Sequence, residues 1–167
     1  SSISWRDKGF YYSRYPEPSE SDKLKGKNAG HQIYYHFVGT PQSKDKLIYQ
    51  DTQHPMRNFS ASITDDSRFL LVFGSEGTSG NNLLARDLRF PKTGFKTLVR
   101  DFDHDVEVID NDSIWLLART NKDAARYKLV WINAVDPTVP WKDAISEQED
   151  VLQEATVGNN QIIVRYM

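Results

Sequence analysis

The chain has no cysteine. Disulfides, a cysteine nucleophile and thiolate metal sites are therefore excluded. The same absence leaves the compartment open, because a cysteine-free chain survives in reducing and oxidising surroundings alike; cytoplasm and periplasm both remain. Charge of one sign is also lacking. Twenty-one basic residues stand against 23 acidic ones, a formal charge of −2. That balance offers no electrostatic footprint for nucleic acid or anionic lipid. No apolar run approaches the ~20 residues that a membrane helix needs. No signal peptide is visible, since Ser1, Ser2 and Ile3 lead straight into strand-like sequence. Neither nucleic acid nor a membrane is expected as a partner.

What is present is a chain of 167 residues, 38% apolar and 12% aromatic. That is one domain's length, with enough apolar side chains to bury a core. Aromatic and β-branched runs alternate with clusters of Gly, Asn, Asp and Pro, which is the signature of strands and tight turns. Four hairpins can be read. Ile3-Ser4-Trp5 pairs with Phe10 to Ser13 across Asp7-Lys8-Gly9. Ala61-Ser62-Ile63 pairs with Phe69 to Phe73 across Asp65-Asp66-Ser67. Val106 to Ile109 pairs with Ile114 to Leu117 across Asp110-Asn111-Asp112. Glu154 to Val157 pairs with Ile162-Ile163-Val164 across Gly158-Asn159-Asn160. The turn residues tolerate positive φ or form Asx turns.

Two further strands follow each of the first three hairpins. They run over Gln32 to Phe37 and Leu47 to Tyr49, then Asn82 to Ala85 and Lys96 to Val99. The third pair is Tyr127 to Ile132 and a weaker segment, Trp141 to Ile145. Residues 141–155 are also rich in helix formers, with Asp143 or Ser146 as N-cap, so a helix remains an alternative there. The hairpin turns at Asp7, Asp65, Asp110 and Gly158 are spaced by about 58, 45 and 48 residues. Four antiparallel strands per ~40–50 residues is the period of a β-propeller blade. The first period is lengthened by a polar insertion at 16–30. Phe69 to Phe73 is continuously apolar, as expected of a strand covered on both faces.

The fold class expected is therefore all-β: a partial β-propeller of about three four-stranded antiparallel blades plus one hairpin. Blade-like repeats fall at about 1–53, 54–101 and 102–149, with an incomplete one at 150–167. Propellers typically need about 4–8 blades, so these repeats read as a section of a larger ring. A section leaves edges and blade faces uncovered, and self-association is expected of it.

Several strings resemble one known family. They are Trp5 to Pro16 (WRDKGFYYSRYP), Ile33 to Ser43 (IYYHFVGTPQS), Thr64 to Leu71 (TDDSRFLL) and Ser75-Glu76-Gly77. Ala118 to Asn121 (ARTN) followed by Tyr127, and Glu149 to Leu152 (EDVL), complete the set. In order and spacing they resemble the propeller domain of the prolyl oligopeptidase family of serine peptidases. The tyrosine-tyrosine-histidine string is the most specific part.

The resemblance implies a seven-bladed propeller capping an α/β-hydrolase domain that this chain lacks. Peptides reach that domain's active site, while the narrow walled cavity rejects folded proteins. The peptide substrate is thus a partner only through the missing domain, and the chain alone is expected to be inactive, with no catalytic residue. No cofactor or metal is expected. Two positions lining the family's substrate pocket map onto this chain. One follows the Glu-Gly pair and is Thr78, often cysteine in animal members, so thiol reactivity is lost here. The other precedes the second hairpin and falls at Asn58, with Arg57 and Phe59 as neighbouring registers. The bland alternative for both is ordinary loop polarity.

Other patterns weigh less. Gly74-Ser75-Glu76-Gly77 and Gly77-Thr78-Ser79-Gly80 lack the Gly-x-Ser-x-Gly spacing of a hydrolase nucleophile elbow and read as loop. Asp101-Phe102-Asp103-His104-Asp105 opens like a calcium loop, but the sixth position is Val106 and the twelfth is Asp112. His31 and His36 are five apart on a strand and face opposite sides, so they cannot share a metal without a bend. Tyr34, Tyr35, Phe37 and Trp5 could stack on bases or sugars, but read better as core between blades. Asn58-Phe59-Ser60 and Asn111-Asp112-Ser113 match glycosylation triplets, a pattern common by chance. The competing function class is a stand-alone propeller-like scaffold for protein–protein or glycan binding. No Gly-His and Trp-Asp pair recurs to support a WD-type version of it.

Overall fold

A computed structural model describes residues 3–17, 29–90, 92–159 and 161–167. The polar insertion expected at 16–30 lies, from 18 to 28, outside the described residues. The first sheet contains β1 (Ser4–Arg6), β2 (Gly9–Arg14), β3 (Gln32–Phe37) and β4 (Lys46–Gln50), in that spatial order. The second contains β5 (Asn58–Ile63), β6 (Phe69–Ser75), β7 (Asn82–Asp87) and β8 (Lys96–Val99). The third contains β9 (Val106–Asp112), β10 (Trp115–Thr120), β11 (Lys128–Asn133) and β12 (Lys142–Ile145). The last is the hairpin β13 (Leu152–Gly158) and β14 (Gln161–Tyr166). Every pairing is antiparallel. Among the described residues the helical content is one 3₁₀ turn, Gln42–Lys44.

The sheets stack face to face in chain order, and strand alternation explains how. Along β6, Phe69 and Leu71 point to one side and pack with Leu116, Ala118, Val130 and Ile132 of the third sheet. Leu70 and Val72 point to the other side and pack with Tyr11 and Ile33 of the first sheet. These four β6 side chains are at most 2% exposed. A strand buried on both faces needs an unbroken apolar run, and each large side chain so buried contributes roughly 1.5–3 kcal/mol. In the third sheet, Leu117 and Leu129 alternate outward onto Leu152 and Ala155 of the hairpin. The outer face of the first sheet carries Trp5, Phe10, Tyr12 and His36 in ring contact, with Trp5 64% exposed.

The hairpin turns use left-handed residues that are not glycine: Asp7, Ser67, Ser113 and Asn159, with φ of 53°, 59°, 54° and 49°. Asp and Asn tolerate this region through local hydrogen bonding. Three expected boundaries move. Gly9 belongs to β2, opposite Arg6. A Cβ there would sit 2.2 Å from the His36 carbonyl oxygen, so the close approach of β3 requires glycine. Asp110, Asn111 and Asp112 are strand, and the third turn lies at Ser113-Ile114. The register steps from Leu117–Asp110 to Ala118–Val108, so Ile109 is an extra bulged residue that lengthens β9. Gly158 is in β13, opposite Gln161. Residues 142–145 pair with β11 as a strand, and the helical alternative for 141–155 is not adopted.

Candidate functional site

In such a meander, the connections that follow even-numbered strands gather at one end of the stack. Among the described residues they are 15–17 and 29–31, 51–57, 76–81, 100–105, 121–127 and 146–151. The first strands of the sheets lie near one another. Ser4 Oγ of β1 accepts the Ile63 amide of β5 at 2.9 Å, and β13 packs against β9. Between β5 and β9 is a cleft of about 480 Å³, lined by Asn58, Ser60, Ser62, Ser75, Asn81 and Glu107, with Phe73, Gly74, Val106 and Val108.

Asn58 opens β5, lines this cleft and is paired across the sheet with Ser75. Its Oδ1 accepts the Tyr15 hydroxyl. Arg57, the neighbouring residue, is fastened on three sides. Its Nε donates to Glu76 at 2.6 Å, its guanidinium donates to Asp51 at 2.9 Å, and it lies 4.7 Å above the Phe102 ring. Burial pulls the Arg57 pKa down, but Glu76 and Asp51 outweigh it and hold the guanidinium above its ordinary value. Burial likewise pushes the Asp51 carboxyl up. Hydrogen bonds from His54, the Gln53 and His54 amides, and Arg57 more than offset this, and it titrates below the usual range.

Thr78 is exposed, in the connection between β6 and β7. That connection is pinned to the linker before β9. Gly80 donates its amide to Asp105 Oδ1 at 2.7 Å, and Asn81 its amide to the His104 carbonyl at 3.0 Å. The Asn81 side chain imitates a strand partner: Oδ1 accepts the Val106 amide at 2.9 Å and Nδ2 donates to the Val106 carbonyl at 3.1 Å. Asp105 also accepts the Tyr127 hydroxyl at 2.6 Å. The Tyr127 bond and then the Gly80 amide hold its carboxyl below the ordinary value. The structure thus puts Asn58 and Thr78 at one end of the second sheet. Asn58 lines the cleft; Thr78 does not.

Among the described residues, no three His, Asp or Glu side chains come together to hold a metal ion. Asp105 is engaged with Gly80 and Tyr127. His31 accepts the Phe59 amide at 2.8 Å, while His36 pairs with Asp45 at 2.7 Å. Ser75 ends β6, and the chain returns as β7, so neither Ser75 nor Ser79 stands on a strand-to-helix elbow. The wall residues missed by sequence reasoning are Ser60, Ser62, Asn81 and Glu107. Ser60 and Ser62 alternate with the buried Phe59 and Ala61, and that period-two pattern was the available signal.

A family model described as prolyl oligopeptidase, N-terminal β-propeller domain, matches residues 1–167. The chain is 39% identical over 169 residues to a prolyl endopeptidase of Elizabethkingia meningoseptica, covering 100% of this chain and 24% of that protein. It is 36% identical over 158 residues to prolyl oligopeptidase A of Amanita bisporigera, covering 88% of this chain and 21% of that one. A solved structure of prolyl oligopeptidase B from Galerina marginata, bound to a 35mer hydrolysis and macrocyclization substrate, is similar. Its TM-score is 0.88 at 28% identity, over 99% of this chain and 24% of that chain. The chain spans about a quarter of the length of these relatives.

Proposed function

Because the chain belongs to the N-terminal β-propeller family of prolyl oligopeptidases, we propose that it works as part of a roof over a serine peptidase site housed in a separate α/β-hydrolase domain. The Ser-Asp-His triad of that domain hydrolyses short proline-containing peptides. The propeller section does no bond chemistry. It restricts entry by size and forms part of the wall along which an extended peptide lies. The observation that carries this reading is the cleft between β5 and β9, whose lining takes in Asn58 at the end of the stack where Thr78 also sits.

The physical logic is steric and dielectric. An extended chain of a few residues fits between packed sheets, whereas a folded domain does not. A covered site also excludes water, which strengthens the electrostatics of the reaction zone. Asn58 supplies hydrogen-bonding capacity at the wall, and Thr78 a hydroxyl and a methyl on the neighbouring loop. The Galerina marginata protein, with a 35mer bound, supports a peptide as the ligand of this architecture. The exposed Trp5 on the first sheet and Ile163 on the last hairpin support a further property. Separated from the rest of a propeller, this chain associates with itself through its uncovered faces.

The test is a length series in the complete protein. Short proline-containing peptides are cleaved, the same sequence inside a folded domain is not, and Asn58→Leu raises KM while leaving kcat near wild type. Equal cleavage of peptide and folded substrate contradicts the roof. The isolated chain leaves the same peptides intact and sediments as more than a monomer; cleavage by it, or a clean monomer at high concentration, contradicts the corresponding claim.

A further inference from the structure

Strand β5 is the edge of its sheet, so its outward amides need partners from elsewhere. Two of them, those of Ile63 and Phe59, are met by Ser4 and His31. Ser4 takes the Ile63 amide at one end. At the other end, beside Asn58, a different arrangement stands. Tyr15 follows β2 and His31 precedes β3, and their rings lie 4.5 Å apart, tilted by 35°. His31 Nδ1 accepts the Phe59 amide at 2.8 Å. The Tyr15 hydroxyl donates to Asn58 Oδ1. The Gly30 amide donates to the Pro55 carbonyl at 2.6 Å. Three ties therefore run from the ends of β2 and β3 onto Pro55, Asn58 and Phe59.

We infer that Tyr15 and His31 are positioning residues that set the place and orientation of Asn58 for substrate binding. This inference rests on the reading of Asn58 as a substrate-wall residue. A ring nitrogen that accepts an amide carries no proton, so Nδ1 acts as the acceptor and the proton of the neutral ring sits on Nε2. Burial lowers the His31 pKa, which is in keeping with a neutral ring. The Phe59 amide fixes the backbone one residue beyond Asn58. The Tyr15 hydroxyl fixes the side chain itself. With Oδ1 engaged, the amide nitrogen of Asn58 is the group left to donate, and the matching substrate group is a main-chain carbonyl oxygen of the peptide. The wall of the second sheet is thus aimed by the first sheet.

The experiment compares His31→Phe, His31→Asn and Tyr15→Phe in the complete protein. His31→Phe keeps a ring against Tyr15 but loses the acceptor. His31→Asn restores an acceptor at the δ position. Tyr15→Phe keeps the ring pair and frees Asn58 Oδ1. His31→Phe and Tyr15→Phe are expected to raise KM for a short proline-containing peptide about three- to tenfold, the worth of one net hydrogen bond, with kcat within about twofold. His31→Asn returns KM towards wild type. Tyr15→Phe adds little in an Asn58→Leu background, because both act through one contact. Hydrogen exchange at the Phe59 amide gives a readout independent of activity. It accelerates in His31→Phe and is protected again in His31→Asn. Unchanged Phe59 exchange in His31→Phe, failure of asparagine to rescue, or a fall in kcat at constant KM overturns the inference. Accelerated exchange with unmoved KM also overturns it. If Asn58→Leu then leaves KM unmoved as well, the wall reading itself has failed; if Asn58→Leu raises KM, only the clamp has.

Discussion

Gly80→Ala tests how the loop that carries Thr78 is held. Gly80 has φ +72°, a region that costs a residue with a Cβ about 1–2 kcal/mol. An added Cβ would fall 1.8 Å from the Phe102 carbonyl oxygen and 2.6 Å from its carbon. Both are backbone atoms, and no rotamer change relieves them. The loop must move away from the linker before β9. Movement breaks the 2.7 Å bond from the Gly80 amide to Asp105, and a hydrogen bond to a charged group is worth about 1.5–3 kcal/mol. The expected loss is therefore about 3–5 kcal/mol, a large fraction of the ~5–15 kcal/mol that typically separates a folded domain from its unfolded chain. Urea denaturation reads this as a lower midpoint with little change in slope. Gly94→Ala is the control. Its Cβ would meet nothing within 4 Å, and its φ is not positive, so it is expected to be neutral or slightly stabilising. Gly80→Ala within about 0.5 kcal/mol of wild type, or equal effects of the two substitutions, refutes the reasoning.

Two further perturbations probe buried charge across the fold. Arg68 and Asp87 form an ion pair at 3.1 Å with side chains 9% and 8% exposed, so Asp87→Ala deprives a largely buried guanidinium of its ion-pair partner and is expected to cost about 3–5 kcal/mol by urea unfolding; a loss under 1 kcal/mol would contradict the burial argument. Acid is the second. In Asp51, Asp66 and Asp87 burial raises the carboxyl pKa but hydrogen bonds win, and in Asp105 the Tyr127 bond leads, so all four lie below the ordinary value. A carboxyl with a depressed folded-state pKa gives stability that is full above its unfolded value near ~4 and is lost as pH falls through the folded value. The urea midpoint is therefore expected to change little on account of these groups between about pH 7 and 5 and to fall below about pH 4, with a smaller fall in Asp105→Asn; a rise in stability below pH 4 would reverse the assigned sign.

Much of the architecture was legible because blade packing writes itself into local pattern. The continuous run Phe69 to Phe73 announced a strand covered on both sides, and the sheets on either side of β6 are the reason. The turn chemistry at Asp7 and Ser67 announced two of the hairpins. Registers were less legible. Ile109 is an inserted residue in β9, and a bulge leaves the composition of a strand unchanged, so the turn was expected at Asp110 to Asp112 when it lies at Ser113. The helix formers after Trp141 were overridden by pairing with β11, a choice made by residues 11 to 16 positions away in sequence. The site was legible only as positions. Asn58 was singled out by resemblance alone, as an expected pocket position. The ties that hold its surroundings, Asn81 to Val106 and His31 to Phe59, join residues 25 and 28 apart and follow no period.

The central claim is that Asn58 and Thr78 line the path of a peptide, and the absence of cysteine from this chain makes it directly measurable. Single Asn58→Cys, Thr78→Cys and Lys92→Cys variants of the complete protein are alkylated, and the rate at each introduced thiol is followed by peptide mass spectrometry, with and without a saturating proline-containing peptide. Slowed alkylation at positions 58 and 78, with position 92 at the opposite end of the second sheet unaffected, is the result expected. Unchanged rates at 58 and 78, or equal slowing at all three, contradicts the claim.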